Sequence, residues 1–80
     1  MIAENFRIEF NSIDLGQLLD GLESRAESWE RTAEFLRTDE MPDGGSFIIE
    51  ECSEDGEADA IAAHFRSIIA KITAQMEAQR

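Results

Sequence analysis

Leu15, Leu19, Leu22, Ala26, Trp29, Ala33 and Leu36 follow one another at intervals of four and three residues, a spacing that only an α-helix gathers onto one side. Leu18 and Phe35 widen this seam at its two ends. The pattern predicts a helix over about 14–38. Asp14 is placed to cap it, Gln17 stands three residues on to complete a capping box, and Ile13 can staple onto Leu18. Gly16 and Gly21 each weaken the first turns by roughly 1 kcal/mol relative to alanine. On the outer side, Glu27 with Arg31, Arg31 with Glu34 and Glu34 with Arg37 can pair along the helix at a few tenths of a kcal/mol each. Ala26 and Ala33 flank the large Trp29 ring, so Leu22, Ala26, Trp29, Ala33 and Leu36 form a candidate close-packed seam. Its expected partner is a second helix of the same chain or another copy.

A second helical stripe, Ala58, Ile61, Ala62, Phe65, Ile68, Ile69, Ile72 and Met76, predicts a helix over about 55–77, with Ser53, Glu54 or Asp55 at its cap and Glu57 and Asp59 in its first turn. The rest of the chain reads differently. Phe6, Ile8 and Phe10 alternate with Arg7 and Glu9, which predicts a half-buried strand over about 5–11. Phe47-Ile48-Ile49 predicts a second strand over about 46–52, after a polar connector, 39–46, that holds Pro42, Gly44 and Gly45. The order β-α-β-α in a single 80-residue domain implies an α+β fold of two layers: a two-stranded sheet covered on one face by two helices. The simplest crossover makes the strands parallel, and a connector that doubles back would make them antiparallel. Two strands leave both edges open, so pairing between chains into a four-stranded sheet is the expected remedy.

Eighty residues bury only about 60–65% of the surface of the unfolded chain, so stability is expected to be marginal. The charge is lopsided. Eighteen acids against seven basic residues give a net charge of −11, and half of the acids, Asp39, Glu40, Asp43, Glu50, Glu51, Glu54, Asp55, Glu57 and Asp59, fall in a stretch without a single lysine or arginine. Such a block projects a negative field and suits a basic or cationic partner. It also rules against direct binding of nucleic acid, which depends on neutralising phosphates. Cys52 is the one cysteine, so no internal disulfide forms. No apolar run is long enough to span a bilayer and no secretory segment is visible, which makes the cytoplasm the expected compartment.

Motifs that carry chemistry are sparse. Asp39, Met41, Asp43, Gly44 and Glu50 fall at positions of a calcium loop, but Met41 offers no ligand oxygen, Pro42 disturbs the turn, and a frame around Gly56 ends on Ala62 where an acid is required. Cys52 and His64 are too few for a zinc site and lack the companions of a nucleophilic pair. Neither a metal nor a cofactor is therefore expected, nor an enzyme. The expected role is that of a small acidic protein whose nine clustered carboxylates face lysines and arginines on a nucleic-acid-binding protein. In size, charge and lack of catalytic motifs the chain resembles the small acidic inhibitors of phages and other mobile elements, including DNA mimics and anti-CRISPR proteins. That resemblance is one of general type and implies an inhibitor of such a basic surface. The other reading is a small dimeric adaptor or accessory subunit, docking a partner through the Leu-Ala-Trp seam or an open strand edge.

Overall fold

The computed structural model describes residues 3–38 and 52–80. Two helices account for most of them: α1 spans Ser12–Thr38 and α2 spans Asp55–Ala78. They run antiparallel as a helical hairpin. Arg37 at the end of α1 meets Asp55 and Asp59 at the start of α2, Glu30 meets Arg66, and Leu15 and Leu18 share a concavity with Ile72 and Met76.

Both helices thus stand where their apolar periodicity puts them, and the expected α+β fold does not. Among the described residues there is no strand. Phe6, Ile8 and Phe10 do alternate, but the segment 3–11 is neither helix nor strand and has no partner strand beside it, so the alternation produces a row of exposed side chains and no sheet. Period-two patterning shows which side of an extended segment is apolar. Pairing needs a second backbone, and a lone strand is not stable in water. Of the expected second strand only Cys52 is described. It lies outside any strand, half-buried against the helical core, and its thiol donates to the Glu54 carbonyl oxygen at 3.3 Å. The remainder of that strand and the connector, 39–46, lie outside the described residues. With no strand among the described residues, neither the parallel crossover nor a four-stranded sheet between chains has support there.

Local chemistry sets the helix starts. The cap of α1 is Asn11, three residues before the expected Asp14: its Oδ1 accepts the Asp14 backbone N–H at 2.8 Å, and its carbonyl accepts that of Leu15 at 3.0 Å. Asp14 then falls in the first turn, where a carboxylate favours the helix dipole. α2 begins after Glu54, whose backbone is extended and whose side chain makes no capping bond.

The core is small and lies toward the connector. Trp29 and Ala33 of α1 meet Ala58 and Ala62 of α2, with Leu36, Cys52, Ile61 and Phe65 packed against them, and Ala26 is fully buried one turn before Trp29. Three alanines clustered with one indole let the helix axes approach closely. Thr32 is also fully buried, and its hydroxyl donates to the Ser28 carbonyl oxygen at 2.8 Å, which removes the cost of hiding it.

Candidate interaction surface

α1 and α2 differ in how well their two ends are closed. Near the connector, Arg37 crosses from α1 and donates to Asp55 Oδ2 at 3.1 Å and to Asp59 Oδ2 at 2.6 Å. Midway, Arg66 of α2 grips Glu30 with two hydrogen bonds, at 3.0 and 2.8 Å, and lies 3.7 Å from Glu23. The fork geometry of guanidinium and carboxylate makes this the best-defined ion pair of the hairpin. Hydrogen bonding to Arg66, opposed by partial burial and aided by direct attraction, lowers the Glu30 carboxyl below its usual range. By the same bond the Arg66 guanidinium is held still more firmly protonated.

Beyond these latches, toward the N-terminal end of α1 and the C-terminal end of α2, no described residue is fully buried. Leu15, Leu19, Leu22, Ile68, Ile69, Ile72 and Met76 are all half-buried there, although they are the larger members of the two stripes. Phe6 is 75% exposed, Ile8 70%, Phe10 47%, Ile13 74% and Leu18 44%. Most of these side chains line one open concavity of about 430 Å³, formed by Phe6, Ile8, Phe10, Leu15, Leu18, Ile72 and Met76, with Glu9, Gln75 and Gln79 at its polar edge. Phe10 and Leu15 hold the N′ and N4 positions around the Asn11 cap, the two places where an apolar pair fixes the entry of a chain into a helix. The concavity is therefore built where the segment 3–11 turns into α1.

The site residues expected from sequence are dispersed by this arrangement. Ala26, Trp29 and Ala33 face α2 inside the hairpin; Leu36 packs at the edge of that core and Leu22 is half-buried nearer the open end. The seam is consumed within the chain rather than offered to a partner. Of the acids, Asp55 and Asp59 are answered by Arg37, a cation on the neighbouring helix that linear inspection of 39–65 does not reveal. Glu54 and Glu57 are exposed and make no ion pair among the described residues. Asp39, Glu40, Asp43, Glu50 and Glu51 lie outside the described residues, as does the calcium-loop frame that begins at Asp39.

His64 is exposed on α2, and Gly56 sits in the first turn of that helix, so no calcium loop turns there. No group of three potential metal ligands occurs among the described residues. No described helix is long and apolar enough to cross a membrane. The open end is hard to see in the sequence because the alternation of Phe6, Ile8 and Phe10 implies a sheet that would bury them. That alternation and the large side chain of Leu18 are its signal.

The chain matches no protein-family model, and neither the curated proteins nor the solved structures include one significantly similar to it.

Proposed function

We propose that this chain is a small protein-docking module of the adaptor or accessory-subunit type, and that it engages its partner through the open apolar end of the hairpin. The observation that carries this reading is the clustering of Phe6, Ile8, Phe10 and Leu18, all 44–75% exposed, around one concavity. Scattered apolar residues on a surface mean little, but a contiguous patch of several hundred Å² on a soluble protein marks a contact surface. Polar Glu9, Gln75 and Gln79 at the edge supply the rim that such surfaces carry.

The acidic block supports a second reading, in which the chain occupies the basic, nucleic-acid-binding surface of a target protein. It is favoured by the net charge of −11 and by Glu54 and Glu57, exposed and unmatched among the described residues. The engagement of Asp55 and Asp59 by Arg37 removes two of its nine carboxylates from easy use.

Affinity capture from cell lysate containing an untagged copy of the chain, at low and at high salt, separates the two. Docking through the open end predicts a protein retained at high salt by the wild type and lost by the Leu18→Glu variant. A partner recovered equally by both proteins, and only at low salt, would transfer the function to the acidic block.

A further inference from the structure

We draw no further inference here: the strongest candidate, the open apolar concavity between the N-terminal arm with Phe6, Ile8 and Phe10 and the C-terminal end of α2 with Ile72 and Met76, belongs to the docking surface already described, and nothing among the described residues shows what covers it.

Discussion

Trp29 concentrates the stability of this hairpin in one side chain. It is the one large residue of a core otherwise made of alanines and Thr32, it is 9% exposed, and the Arg25 guanidinium lies 5.8 Å from its ring centre. Its Nε1–H is buried with no acceptor among the described residues, so the ring contributes area while one polar atom counts against it. Truncation and conservative replacement should therefore part company. Trp29→Ala removes about 3–5 kcal/mol, a large fraction of what a domain of this size possesses, and is expected to unfold the chain. Trp29→Phe loses packing but also the unsatisfied donor, and is expected to stay folded within about 1 kcal/mol of the wild type. Urea titration followed by circular dichroism distinguishes them, and equal losses would show that the indole N–H is satisfied in solution. Trp29 was legible in the sequence as a seam residue between two alanines. Thr32 was not, because a hydroxyl satisfied by the carbonyl four residues back looks polar in a sequence and behaves as apolar in a helix.

The two helices were readable from their stripes, to within two residues at α1 and one at α2, because a period of 3.6 over more than twenty residues has no other solution. The strand expected over 5–11 was not decidable in this way. A five-residue alternation is satisfied equally by a strand in a sheet and by an extended arm with one apolar side, and only tertiary contacts separate the two. Polar pairing was also misread at this scale: Arg37, expected to pair with Glu34 along its own helix, reaches across to Asp55 and Asp59, since a guanidinium near a helix end can span the groove to a neighbour. Gly21 offers a direct test of α1. It is exposed, an added methyl would meet nothing within 4 Å, and it sits inside a continuous helix. Gly21→Ala should stabilise the chain by about 0.5–1 kcal/mol, a rise of several degrees in melting temperature. No rise would mean that this part of α1 is not helical in solution.

For the molecule as a whole, pH acts in two ways of opposite sign. A net charge of −11 opposes the compact state, and lowering the pH from 7 toward 5 reduces that charge, so the melting temperature should rise over this range. Glu30 works the other way. Its pKa is lowered in the folded chain by hydrogen bonding to Arg66, so its contribution is complete above the unfolded carboxylate value, near pH 4.5, and is lost as pH falls through the lower folded value. A melting profile with a maximum near pH 5 and a decline below about pH 4 is the expected shape. In Glu30→Gln the acid-side decline should be shallower, and an unchanged decline would assign acid sensitivity to other carboxylates. The position of Trp29 has a practical corollary. With one tryptophan and no tyrosine in the chain, ultraviolet emission comes from a single indole embedded between the helices, in the closed half and away from Phe6 and Ile13. Its colour follows separation of α1 from α2 and is insensitive to what covers the far end, so the chain carries an intrinsic optical probe that tells melting of the hairpin apart from loss of its partner.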